Sequence, residues 1–160
     1  MSIAAVRDYF RPFGMADKVL EFDVSSATVD LAAQAVGVIP ARIANSLSFK
    51  VDGKAVLIIT AGDAKVDNPK FKHFFHTKAK MLTPEEVAAL VGHAVGGVCP
   101  FAIKEDVAVY LDVSLKRFDT VFPAAGSANS AIELTCQELE QYAQNFAAWG
   151  DFCKGWQEEA

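Results

Sequence analysis

The chain has 160 residues, 52% of them hydrophobic and 22% charged, and carries a net charge of −5. That length suits a single domain over residues 1–160 with a core of its own, and no apolar run reaches the ~20 residues of a membrane helix. The acidic balance argues against a broad basic face that grips nucleic acid along a duplex.

Taken in order, Ser2 is a candidate cap for a first helix with Ile3, Val6, Phe10 and Phe13 on one side, ending near Pro12–Gly14. Val19 to Asp23 alternates as a half-buried strand does. Thr28 caps a short helix from Val29 to Val36 that Gly37 closes, and Pro40 opens another through Ala44. A hairpin follows: Ser46–Val51, the turn pair Asp52-Gly53, then the apolar run Ala55–Thr60, which reads as a central strand buried on both faces. Asn68-Pro69 starts a helix containing Phe71, Phe74 and Phe75, and Thr83 with Glu86 forms a capping box for a helix that stops at Gly92.

Beyond a glycine-rich loop, Val107–Leu111 reads as a strand ending at Asp112, and Ser114–Phe118 as about one helical turn. Thr120–Ala124 and Ala131–Leu134 are two further strands. Thr135 and Glu138 form a second capping box, opening a helix with Leu139, Tyr142, Phe146 and Trp149 on one stripe. Gly150 ends it, and the tail after about residue 150 is expected to be loose. Strands and short helices without βαβ alternation predict an α+β domain with a mixed sheet.

The loop Gly92-His93-Ala94-Val95-Gly96-Gly97-Val98-Cys99-Pro100-Phe101 places three glycines and a proline within nine residues. Glycine permits positive φ and close approach of backbone to a ligand, so such a loop is either a tight turn or an N–H cradle for an oxyanion. His93 is a candidate general base or a cap of the preceding helix, and Cys99 a candidate nucleophile or a small packed side chain. The polar clusters Asn45-Ser46 and Gly126-Ser127-Ala128-Asn129-Ser130 are candidate binding residues that also fit turn chemistry.

Five lysines, Lys65, Lys70, Lys72, Lys78 and Lys80, lie within sixteen residues, a strip fit for a few phosphates or a solvated face. His73 and His76 are three apart on a predicted helix, but no third ligand or HExxH frame accompanies them, so no metal is expected. Cys99, Cys136 and Cys153 form no CxxC pair, and the first residues lack a basic stretch followed by a long apolar core, so no signal peptide and free thiols in the cytoplasm are expected.

The succession Ile43-Ala44-Asn45-Ser46-Leu47, Thr60-Ala61-Gly62-Asp63, the Gly92–Phe101 loop, Tyr110-Leu111-Asp112 and Gly126–Leu134 resembles the YbaK/EbsC family. These are free-standing relatives of the editing domain inserted in bacterial prolyl-tRNA synthetases, and the resemblance spans roughly residues 25–142. It implies a strongly curved mixed sheet wrapped by short helices, and hydrolysis of the ester that joins a wrong amino acid to the 3′ end of a tRNA. It implies no metal or cofactor.

Gly96 and Pro100 match the family's Gly-x-x-x-Pro motif, which places Gly96, Gly97, Val98, Cys99 and Pro100 around the scissile ester. Asn45 stands where the family pattern has a lysine, beside Ser46, and His93, Asn129 and Ser130 complete the expected lining. Lys70 and Lys72 are the candidate tRNA contacts. The partner implied is the acceptor end of a mischarged tRNA, and beside it an aminoacyl-tRNA synthetase. A catalytically weak relative that only binds aminoacyl-tRNA or a synthetase, and a binder of a free amino acid, are the alternative readings.

Overall fold

A computed structural model describes residues 2–156. Its helices are α1 (Ile3–Phe10), α2 (Val29–Val36), α3 (Asn68–Phe75), α4 (Pro84–Glu86, continued by a π-helical Val87–Val91) and α5 (Cys136–Tyr142). Its first five strands are β1 (Val19–Glu21), β2 (Ile43–Val51), β3 (Lys54–Ala61), β4 (Lys65–Val66) and β5 (Ala108–Asp112). The remaining five are β6 (Thr120–Pro123), β7 (Ser130–Ile132), β8 (Leu134–Thr135), β9 (Phe146–Gly150) and β10 (Cys153–Lys154).

The β2–β3 hairpin organises the sheet. Asp52 and Gly53 take φ of 52° and 79°, as a two-residue turn between right-twisted strands demands, and Val51 pairs with Lys54 across it. The six-stranded sheet runs β8-β6-β2-β3-β5-β9 and mixes antiparallel and parallel pairs. It curls into a half-barrel with the short helices around it. β3 lies between β2 and β5, and Leu57, Ile58 and Ile59 are fully buried, as the unbroken apolar run predicts for a strand covered on both faces. Two small antiparallel ladders, β1–β7 and β4–β10, close the ends of the chain onto this body.

The helix ends follow the sequence closely. Ser2 accepts from Ala5 N, Thr28 from Leu31 N, and both expected capping boxes, Thr83 with Glu86 and Thr135 with Glu138, are formed in both directions. Gly37 and Gly92 close their helices at φ of 87° and 102°.

Four expectations are corrected. The Pro40 helix is one 3₁₀ turn ending at Arg42, because Ile43 and Ala44 pair in parallel with Phe122 and Pro123 and lengthen β2. Asn45 therefore sits inside a strand and not at a helix–strand junction. The Ala131–Leu134 strand divides at Glu133, with β7 pairing to β1 and β8 to β6.

The helix expected to reach Trp149 stops at Tyr142. Asn145 takes φ of 58° and donates to Lys104 O and Val107 O, while Gln144 binds both backbone groups of Ile103, so the chain turns into β9 beside β5.

The tail is not loose as far as residue 156. Phe152 and Cys153 are fully buried, and Phe152 N–H donates to the buried Asp112 carboxylate at 2.7 Å. The remainder of that expectation, residues 157–160, lies outside the described residues.

Candidate functional site

One cavity of about 360 Å³ opens where β2 meets three neighbours. Residues 43–48 of β2 form one wall, and Thr28, Val29 and Ala32 at the start of α2 form another. Met81, Leu82, Pro84 and Val87 close it on a third side, and the glycine loop contributes Val95, Gly96 and Val98. The volume falls in the lower part of the range for small-molecule sites.

The 80–82 segment is held there by the sheet. Lys50 N–H donates to Lys80 O, Leu82 N–H donates to Ser48 O, and Phe49 bridges Met81, so the far half of β2 gains an extra partner beyond the reach of β6. Lys50 reaches across to pair with Glu86.

The lining is mostly apolar, and none of its described residues is Asp, Glu, Lys, Arg or His. Its polar groups are Asn45 and the hydroxyls of Ser26, Thr28, Ser46, Ser48 and Ser130. Asn45 is half-buried, so its amide can offer both a donor and an acceptor to a ligand. Ser130 Oγ accepts from Ser127 Oγ at 2.7 Å.

The loop is built to carry two different faces. Val95 is 63% exposed and Gly96 takes φ of 95°, placing these residues toward the cavity. Gly97 turns the other way: its N–H donates to Ala94 O at 3.0 Å, and its Cα packs against the Gly126–Ser127 backbone. Of the two glycines expected around the ester, Gly96 borders the cavity, whereas Gly97 spends its N–H inside the loop.

His93, Cys99 and Pro100 are likewise corrected as lining residues, for all three are buried behind the loop and do not border the cavity. Burial pushes the Cys99 thiol up to about 12, which removes it as a nucleophile. Asn129 works from outside as well. It exchanges backbone and side-chain hydrogen bonds with Phe22, and Ala128 O accepts from Ser26 N–H, so the 126–130 turn fixes the 22–28 segment that carries Ser26.

Lys70 binds Asp151 at 2.9 Å and Cys153 O at 2.8 Å and so clasps the C-terminal segment, whereas Lys72 is exposed on α3. His76 is the C-cap of α3 at φ of 61°, one residue past the helix that contains His73.

Asn45, Ser46, Gly96, Val98 and Ser130 are thus the predicted residues that meet around one cavity. Sequence reasoning missed Ser26, Thr28 and Val29, and also Met81, Leu82, Pro84 and Val87. Thr28 and Pro84 were visible only as helix-start signals, and the isolated apolar pair Met81-Leu82 before a capping threonine gave no sign of its neighbour in space.

The curled mixed sheet thus brings its hairpin strand and the glycine loop around one small cavity with an uncharged described lining. The model of the aminoacyl-tRNA editing domain matches residues 24–142, and the chain belongs to that family. YwhH, an uncharacterised protein of Bacillus subtilis (strain 168), is 52% identical over 158 residues, covering 98% of this chain and 100% of its own. The proline–tRNA ligase of Bacillus licheniformis is 29% identical over 106 residues, which are 66% of this chain and 18% of the ligase. A crystal structure described as a candidate trans-editing enzyme for prolyl-tRNA synthetase superposes with a TM-score of 0.85 at 30% identity, covering 96% of this chain and 97% of the other.

Proposed function

We propose that the protein is a free-standing aminoacyl-tRNA deacylase that hydrolyses the ester of a mischarged tRNA in the cytoplasm. The observation that carries this reading is the convergence of Asn45 and Gly96 on one uncharged cavity within an editing domain. An aminoacyl ester is already activated, so its hydrolysis needs orientation, a donor to the carbonyl oxygen and one water. In this reading Gly96 donates its amide N–H to the carbonyl oxygen, and the Asn45 amide holds the carbonyl or a terminal ribose hydroxyl. A ribose hydroxyl of the substrate activates the water, since none of the described wall residues is a titratable base.

The same lack of charge selects an amino acid with an uncharged side chain, because a buried ion without a partner is strongly disfavoured. The tRNA body stays largely outside. Lys72 takes part in a brief phosphate contact, and its replacement by alanine lowers the salt slope of tRNA binding by about one. A synthetase that delivers the mischarged tRNA is the further partner this reading allows.

Asn45 favours a second reading, a relative that binds aminoacyl-tRNA and hydrolyses it weakly or not at all, because asparagine supplies no positive charge where the family pattern has lysine. A deacylation panel of mischarged tRNA-Pro, tRNA-Ala and tRNA-Cys decides between them. Under the first reading the wild type hydrolyses at least one substrate, and Asn45→Ala slows it about 10²-fold, the scale of one lost oxyanion donor. A wild type inert on all three, with activity appearing in Asn45→Lys, would establish the second. Thermal stabilisation by a free amino acid without tRNA would instead favour a small-ligand binder.

A further inference from the structure

His93 lies behind the cavity wall, fully buried, and two of its atoms define what it does. Its Nε2 is 2.7 Å from Phe101 O, and its Nδ1 is buried with no hydrogen-bond partner among the described residues. A carbonyl oxygen only accepts, so Nε2 carries the proton and the ring is neutral with a bare lone pair at Nδ1. This bond joins the two ends of the glycine loop. Residues 94–100 are held between His93 and Phe101, and within that span Val95, Gly96 and Val98 border the cavity. Cys99 Sγ fills the inside of the ring, 3.5 Å from Nε2 and 3.6 Å from the same carbonyl. Phe101 anchors the far end against Phe10 of α1, with ring centroids 4.7 Å apart.

We infer that His93 is a positioning residue for the reaction: as a neutral donor to Phe101 O it fixes the loop that presents Gly96 and Val98 to the substrate. It does not touch the substrate. The inference rests on the deacylase reading of the cavity, but the geometry beneath it can be tested without any substrate.

Protonating the ring would place a second N–H at Nδ1 with nothing to receive it. Burial lowers the basicity of His93, and the hydrogen bond to Phe101 opposes that only in part. The titratable groups around it give no anion to hold an imidazolium. The Cys99 thiol stays neutral, and the Tyr9 hydroxyl of α1, which donates to Tyr142 O, is raised by burial and by Cys99. Between the ordinary histidine value of 6.5 and the lowered one, the unfolded chain binds a proton that the folded chain refuses. Acid therefore loosens this loop as pH falls through that window, and stability is full above it.

The test pairs spectroscopy with kinetics. Long-range ¹H–¹⁵N correlation spectra of the wild type should show His93 as the Nε2–H tautomer, protonating below 6.5. An Nδ1–H tautomer, or protonation at or above that value, overturns the inference. His93→Gln keeps an amide donor at the same reach and never titrates, so it should retain kcat/KM and lose the acid limb that the wild type shows. His93→Leu removes the donor and should lower kcat/KM by about tenfold or more. Equal activity and an unchanged acid limb in Gln and Leu variants overturn the positioning role alone. If His93→Leu does not fold, the Gln variant and the tautomer still decide. A wild type without deacylase activity overturns the functional reading and the positioning role with it, while the spectra continue to report the loop geometry.

Discussion

In Gly97→Ala, the added Cβ would stand 2.7 Å from Ser127 N, 2.8 Å from Gly126 C and 2.9 Å from Gly126 O. All three neighbours are backbone, so no side chain can swing aside. The turn behind them cannot retreat freely either, because a Cβ on Gly126 would itself meet Ser2 O at 2.6 Å and Val6 Cγ2 at 2.8 Å. The glycine loop thus rests on the 126–130 turn, and that turn rests on α1. Forcing a methyl group into such packing costs about 1–3 kcal/mol. At about 2–4 °C per kcal/mol for a chain of this length, Tm should fall by about 4–8 °C near the middle of that range.

Gly96→Ala separates the two faces of the loop. Its Cβ would meet Ala27 and Ala128 Cβ at 3.4 and 3.5 Å, which is ordinary contact, and its cost of about 1–2 kcal/mol comes from φ of 95°. Urea unfolding with an unchanged m-value gives both stabilities, and deacylation of the best substrate gives both activities. Gly96→Ala should lose more activity per unit of lost stability, since Gly96 borders the cavity and Gly97 does not. A Gly97→Ala protein that melts within about 1 °C of the wild type would refute the close approach and the reasoning built on it.

Two further outcomes follow from the charges and thiols. Glu86 is held at about 2, first by its hydrogen bond to Lys50 and then by the Thr83 N–H of its capping box. Its carboxylate is depressed below the ordinary 4.5, so its contribution to stability is present above that value and is lost as pH falls toward about 2. The stability gap between wild type and Glu86→Gln should accordingly close across that window in acid titrations, and a gap that persists at the acid end would contradict the pairing. Alkylation of the folded protein by iodoacetamide, read by mass spectrometry, should label Cys136 first, because it is only partly buried. Cys99 and Cys153 are buried and their thiols are pushed up by burial. Labelling of Cys99 as fast as Cys136 would mean that the 92–101 loop opens readily.

The amino-acid sequence by itself determined whatever rests on neighbours in the chain. Helix caps at Ser2, Thr28, Thr83 and Thr135, the Asp52-Gly53 hairpin and the stops at Gly37 and Gly92 depend on bonds spanning a few residues, so their signals are local. The buried β3 run was legible for the same reason: continuous apolarity needs cover on both faces whatever supplies it.

Tertiary structure decided the rest. The stripe through Phe146 and Trp149 has helical spacing, yet the edge of β5 and the side chains of Gln144 and Asn145 recruit it as a strand, because an open ladder of backbone groups outweighs a weak local preference. The same holds for the cavity. Asn45 and Gly96 carried chemical signals, but their neighbours Val29, Met81 and Phe122 are ordinary apolar residues far apart in sequence. Only the curl of the sheet and the docking of α2 and the 80–87 segment bring them together. The loop's two faces were equally hidden, since a run of glycines does not reveal which residue borders the cavity and which spends its amide on Ala94, nor that His93 would turn inward to Phe101 instead of outward to a substrate.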